Sequence, residues 1–354
     1  MDLTKFKIVV ILLFLFLFPI KGESLENEEP SRVACVITVA AVGDIMMGTD
    51  YPSPKLPGRD GKLLFEESKD FLRQADIVFG NLEGPLCDGG SPAKKAKDKE
   101  SYVFRTPARF VKNLVEAGFN VVSLANNHAE DFGSQGMSST KKVLDAARIK
   151  YSSKAGEVAE FEINGVKIGL VAFSFGPPPR SIVYPEKALE EIDLLSKKYD
   201  VLILSIHGGK EGGSALQTEN ELEYFLDEPR GNLVQFAHEA VERGADLVMM
   251  HGPHVPRAME VYRDRLIAYS LGNFCTYRGM SLDEEKGYAP LLWVELGRDG
   301  EFVKGNIFSF IQFPPGGPKR DEEERAWALI KKLSQEDFPG TSPFFGVSGT
   351  ILPR

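Results

Sequence analysis

Cysteine is scarce in this chain, with three residues, Cys35, Cys87 and Cys275, among 354. They cannot all pair within one chain and none has zinc-finger spacing, which leaves one disulfide or a set of small buried hydrophobes. Positive charge is also short: 42 Lys and Arg against 51 Asp and Glu give a net charge of -9, which argues against nucleic acid as a partner. One local exception is Ala93-Lys-Lys-Ala-Lys-Asp-Lys, where Lys94, Lys95 and Lys97 form either a solvated loop or a capture site for an anionic substrate. The apolar run Ile8 to Phe18 is shorter than the about 20 residues that a bilayer span requires. It follows Lys5 and Lys7 and precedes Pro19 and Gly22, so residues 1–22 read as a signal peptide or an uncleaved membrane anchor. Either reading places the folded part outside the cytoplasmic membrane.

What remains is ordinary globular composition, 43% hydrophobic and 26% charged, enough for one large domain or two small ones and incompatible with disorder or fibrous structure. Residues 23–34 are polar and acidic and read as a linker. A domain is expected over 35–312, followed by a C-terminal helix and irregular tail over 313–354. Apolar runs alternate with amphipathic stretches: strands at 36–43, 76–80 and 120–125, and helices at 65–74, 107–117 and 135–148. Thr106-Pro107 suits a helix start and Gly118 a helix stop. Asn164-Gly165 between apolar runs predicts a hairpin. Further helices at 186–198, 233–243 and 322–332 and strands at 201–206, 246–250, 258–262, 266–269, 291–296 and 302–310 complete the pattern. The fold class expected is α/β, a four-layer α/β/β/α sandwich of two mixed sheets, one mainly parallel and one built from hairpins.

Histidine is rare too, with five residues, yet four of them stand where an apolar run breaks. His128 ends Leu124-Ala-Asn-Asn-His, His207 follows Val201-Leu-Ile-Leu-Ser-Ile, and His251 and His254 follow Leu247-Val-Met-Met. Asp44 closes another run, and Asn81 and Glu83 close a fifth, on one side of the chain if it stays extended. Ligands in α/β sheets collect beyond the carboxyl ends of strands. Imidazole, carboxylate and amide oxygen there suit one or two divalent ions such as Zn, Mn or Fe. Each motif has a plainer reading alone: Asp44 as a cap, Asn126-Asn127 as a turn, His207 as a core residue, His251-Gly-Pro-His254 as an exposed turn. His128 can also protonate a leaving oxygen near neutral pH. His238 lies in a helical pattern and reads as structural.

These segments, Val42-Gly-Asp-Ile-Met, Asn81-Leu-Glu, Ala125-Asn-Asn-His with Asp131, His207-Gly-Gly with Glu211, His251-Gly-Pro-His-Val and Tyr269-Ser-Leu-Gly-Asn-Phe with Asn273, resemble the CapA family of bacterial capsule or poly-γ-glutamate synthesis proteins. That family is related in fold to the calcineurin-like metallophosphoesterases. The resemblance implies Asp44 and His254 on one metal, Asn127, His207 and His251 on a second, and His128 as proton donor. It implies supporting or substrate-binding roles for Asn81, Asn126, Asp131, Glu211 and Asn273. Asn81 stands where the wider superfamily has a bridging Asp, so Glu83 substitutes or the bridge is missing; Met46 stands where it has a His. The implied function is a metal-dependent hydrolase or transferase acting on an anionic polymer such as poly-γ-glutamate, beside membrane synthase subunits. The alternatives are a non-catalytic assembly or export factor and a general secreted phosphodiesterase.

Overall fold

In the strand Ile37–Met46, Val39 and Ala41 point to one face and Ala40 and Val42 to the other, and all are fully buried. A strand apolar on both faces needs a packed layer on each side. The computed structural model supplies both layers and describes residues 36–93, 102–153 and 156–354. The expected signal or anchor segment, the linker, Cys35 and the lysines Lys94, Lys95 and Lys97 lie outside the described residues.

The first sheet has ten strands, with Ile37–Met46 at its centre. On one side this strand pairs parallel with Ile77–Leu82, which leads on to Val121–Ser123 and Lys150–Ser152. On the other side it pairs antiparallel with Tyr288–Leu296 and, at its carboxyl end, parallel with Asn273–Thr276. The second sheet has six strands, and its parallel centre consists of Val166–Ser174, Val201–His207, Leu247–His251 and Arg265–Ala268. Ala159–Ile163 and Met259–Tyr262 close its two edges by antiparallel hairpins.

Three apolar seams define the layers. Val39, Ala41, Ile77 and Phe79 of the first sheet meet Ile168, Leu170, Ile203 and Met249 of the second. The opposite face of the first sheet, with Ala40, Val42 and Val78, packs on Leu72, Phe110, Leu114 and Leu144 from its helices. The opposite face of the second sheet, with Leu202, Leu204 and Val248, packs on Leu189, Ile192, Val234 and Ala237. The architecture is therefore the expected α/β/β/α sandwich. The parallel βα units, however, are divided between the two sheets instead of filling one, because each sheet is buried on both faces and both need continuous apolar strands.

Several local expectations hold. Asn164 and Gly165 both take positive φ, as a two-residue hairpin turn requires, and Gly118 ends its helix at φ 96°. Others change. The helix expected at 65–74 shrinks to Lys69–Leu72, and Ser68 Oγ donates to the Phe65 carbonyl just before it. Thr106 does not cap its helix, since its hydroxyl donates to the Gly48 carbonyl across the fold. The tail is less irregular than its glycine and proline content suggests: after the helix Arg325–Asp337, Thr350–Leu352 pairs with Phe302–Ile311 in the first sheet. Cys87 and Cys275 are unpaired and buried. His238 bonds Glu260 at 2.7 Å and stacks on Tyr262, in keeping with a structural role. Among the described residues no helix is long and apolar enough to cross a membrane.

The central strand runs past Asp44, where the apolar run ends, because its last residues find new partners. Asp44 N donates to the Gly272 carbonyl at 2.9 Å, and the register shifts between Asp44 and Ile45. The close approach depends on Gly43, where an added Cβ would stand 1.9 Å from the Gly272 oxygen. Gly43→Ala is expected to destabilise the fold by about 2 kcal/mol or more, as overpacking against backbone does, read as a lower urea midpoint. An unchanged midpoint would contradict this close packing.

Candidate metal centre

Strand register sets the site. On the first sheet Asp44 is level with Asn273 on one side and Asn81 on the other. On the second sheet His251 is level with His207, and His207 with Ser174. Each sheet thus presents a row of polar residues where its apolar strands end. Asp44, Asn81, His251 and Asn273 are wholly buried, and Glu83 and His207 nearly so.

The tightest group is acidic. One ligand atom from each of Asp44, Glu83 and His254 lies within 4.8 Å of the others. Asp44 Oδ1 accepts from Asn81 Nδ2 at 2.8 Å. Asp44 Oδ2 is 3.0 Å from His254 Nδ1, an ion-pair contact without hydrogen-bond geometry, because that nitrogen is directed at Asn273 Oδ1, 3.1 Å away. His254 Nε2 stands 3.8 Å from Glu83 Oε1 and 3.9 Å from Glu211 Oε2. Burial opposes charge on both carboxyl groups. At Asp44, the neighbouring His254 outweighs it and holds the pKa at about 2. At Glu83, burial and the neighbouring Asp44 charge act together and push it well above the usual range. Burial opposes charge on His254 as well, yet Glu83, Asp44 and Glu211 raise it to about 10. His254 also sits at φ 60°, a left-handed conformation held by Asn273, whose Nδ2 donates to the His254 carbonyl at 3.3 Å.

The imidazole group faces it from the second sheet. Burial keeps His207 well below its usual pKa and His251 down at about 4, so both are neutral. His251 Nε2 contacts Ser205 Oγ at 2.9 Å, and its ring stacks on Phe79. Asp44 Oδ2, both Glu83 oxygens, His207 Nε2 and His251 Nδ1 are buried without a hydrogen-bond partner. Such atoms cost on the order of 1–3 kcal/mol each unless something binds them, and more for charged groups. Carboxylate and imidazole are donors that suit a borderline divalent cation, so the residues present fit a metal.

Around this centre, His128 Nδ1 bonds Asp131 Oδ2 at 2.8 Å, and the same oxygen accepts from Phe104 N. A cavity of about 220 Å³ brings His128 together with Phe104, Glu211, Phe225, His254 and Asn273. Asn126 and Asn127 line a second cavity of about 660 Å³, with Ser174, Phe175 and Arg180. Asn126 joins the network through bonds to Asn81 Oδ1 and the Leu82 carbonyl, both 3.0 Å. Glu211 is anchored by Arg230 at 2.7 Å, and that guanidinium stacks on Phe175. Met46 is buried with its sulfur accepting from Gly48 N at 3.3 Å. Sequence reasoning missed Ser205 and Arg230. A serine two residues before His207, in an otherwise aliphatic strand, was the available signal for the first; nothing local marks the second.

A family model described as bacterial capsule synthesis protein PGA_cap matches residues 38–278. The chain is 30% identical over 289 residues to the PGA biosynthesis protein CapA of Bacillus subtilis (strain 168), covering 77% of this chain and 71% of that protein. It is 31% identical over 256 residues to the capsule biosynthesis protein CapA of Bacillus anthracis, covering 69% of this chain and 60% of that protein. Among solved structures, the NAD nucleotidase of Haemophilus influenzae aligns at TM-score 0.41 and 12% identity, over 85% of this chain and 56% of the other. A 5′-nucleotidase precursor of Thermus thermophilus aligns at TM-score 0.40 and 12% identity, over 85% of this chain and 59% of the other. By the extent of its family match, the chain belongs to the bacterial capsule synthesis protein PGA_cap family.

Proposed function

We propose that this protein acts outside the cytoplasmic membrane in making an anionic polymer such as poly-γ-glutamate, through a divalent-metal centre in the cleft between its two sheets. Its candidate ligands are Asp44, Glu83, Asn127, His207, His251 and His254. The observation that carries this reading is the cluster of ligand atoms from Asp44, Glu83 and His254 within 4.8 Å of one another, with Asp44 Oδ2 and both Glu83 oxygens buried and without a hydrogen bond. The CapA names of its relatives support the polymer, and the apolar segment Ile8 to Phe18 supports the location. Membrane synthase subunits are the natural partners for such a role.

A divalent cation held there supplies Lewis-acid stabilisation of negative charge developing on a phosphoryl or carbonyl oxygen. The chain's own residues do the rest. With Asp131 accepting from His128 Nδ1–H, the ring is fixed, and in its imidazolium form the second proton, on Nε2, is the one given to a leaving oxygen or nitrogen, which returns the ring to the neutral state. Phe104 packs on the His128 ring at 4.5 Å and helps to hold its plane. Asn273 orients His254, and Arg230 orients Glu211 at the rim.

Purified protein is expected to carry metal at near-stoichiometric level, and Glu83→Ala to lose most of it, measured by elemental analysis. Equal and negligible metal in both proteins would contradict the centre. With a generic aryl phosphodiester, His128→Ala is expected to lower turnover by about 10²–10⁴-fold, the usual worth of a general acid, with metal content unchanged. A second reading has a specific observation behind it: Asn81 and Met46 replace two ligands of the wider superfamily, and both are engaged in bonds within the protein. Metal content without any turnover in the wild type would favour that reading, a metal-stabilised assembly factor.

A further inference from the structure

The orientation of the Asn81 amide follows from two backbone groups. The His128 backbone N–H donates to Asn126 Oδ1 at 3.1 Å, so the other end of the Asn126 amide is its NH₂. That NH₂ donates to the Leu82 carbonyl and to Asn81, which therefore presents its oxygen to Asn126. The Asn81 NH₂ consequently points the opposite way, at Asp44 Oδ1 (2.8 Å) and at His207 Nδ1 (3.4 Å). An amide NH₂ is a donor only, so His207 Nδ1 is the accepting nitrogen and the ring proton belongs on Nε2. A protonated nitrogen has no lone pair for a cation. It is instead a donor for an anion, and His207 Nε2 is buried without a partner in the protein.

We infer that the cleft takes a single divalent cation, held by Asp44, Glu83 and His254, and that Asn81 excludes a second ion by fixing His207 as an N–H donor for an anionic oxygen of the substrate. The inference rests on the metal centre proposed above and narrows it. A carboxylate at position 81 would place negative charge between Asp44 and His207, reverse the preferred ring proton and complete a second set of ligands with His251 and Asn127. The neutral amide does the reverse: N–H bonds fill the space where an anionic bridge would lie. His254 fits the single ion, because Nδ1 is engaged with Asn273 and Nε2 faces Glu83 and Glu211.

The test is Mn²⁺ binding to the full chain, followed by equilibrium dialysis and electron paramagnetic resonance. One ion per chain with the resolved six-line spectrum of an isolated Mn²⁺ is expected. Two ions per chain, or a spin-coupled spectrum, would overturn the inference while leaving the metal centre standing; no bound ion would sink the centre itself. His254→Gln is expected to weaken Mn²⁺ binding by at least about tenfold, as loss of a ligand shell contact does, while His207→Gln leaves it within about threefold. Loss of the ion in His207→Gln would overturn the assignment. Asn81→Asp is expected to raise the stoichiometry to two, and a folded Asn81→Asp protein that still binds one ion would count against Asn81 as the determinant.

Discussion

Two carboxylates closed off from water, Asp44 and Glu83, cannot share one small space without a compensating positive charge. Everything else at the cleft answers that constraint. His254 supplies the nearest charge within the protein, from a left-handed backbone conformation that Asn273 maintains. Asn81 takes one oxygen of Asp44 by an N–H bond and leaves the other 3.0 Å from His254 Nδ1. Glu83 has no bond for either oxygen. One imidazole set against two buried carboxyl groups, with no hydrogen bond to either Glu83 oxygen, leaves donor atoms to spare for a cation, which suits a binding site better than a core.

The sandwich holds this costly arrangement in place. Three apolar seams fix the two sheets, and the parallel pairing within each fixes which residues come level at the strand ends. Because Asp44 is level with Asn81 and Asn273, and His207 with His251, a shift of one strand by one residue would turn a candidate ligand into the core. The approach of Gly43 to Gly272 locks that register on the first sheet.

Much of this was legible in the sequence. Aliphatic runs that stop at Asp44, Asn81, His128, His207 and His251 announced both the strands and the polar ends, and Asn164-Gly165 announced its hairpin. The division of βα units between two sheets was not legible, since strands buried on both faces look alike whichever sheet receives them. Nor was the pairing of Asp44 with Asn273, which depends on contacts between distant segments. Glu83 was suggested by its spacing from Asn81, but its lack of any partner could be seen only once the chain was folded. Ser205 and Arg230 act on residues that the sequence did mark, and their own positions carry little signal.

The most direct measurement is anomalous diffraction from crystals of the protein soaked with Mn²⁺ or Zn²⁺, recorded at the metal edge. One peak is expected in the cleft, at about 2.0–2.3 Å from an oxygen of Asp44, an oxygen of Glu83 and a nitrogen of His254, the usual range for such ligands. A cleft with no peak at full soaking, or an ion bound away from Glu83, would contradict a cation held by these three residues.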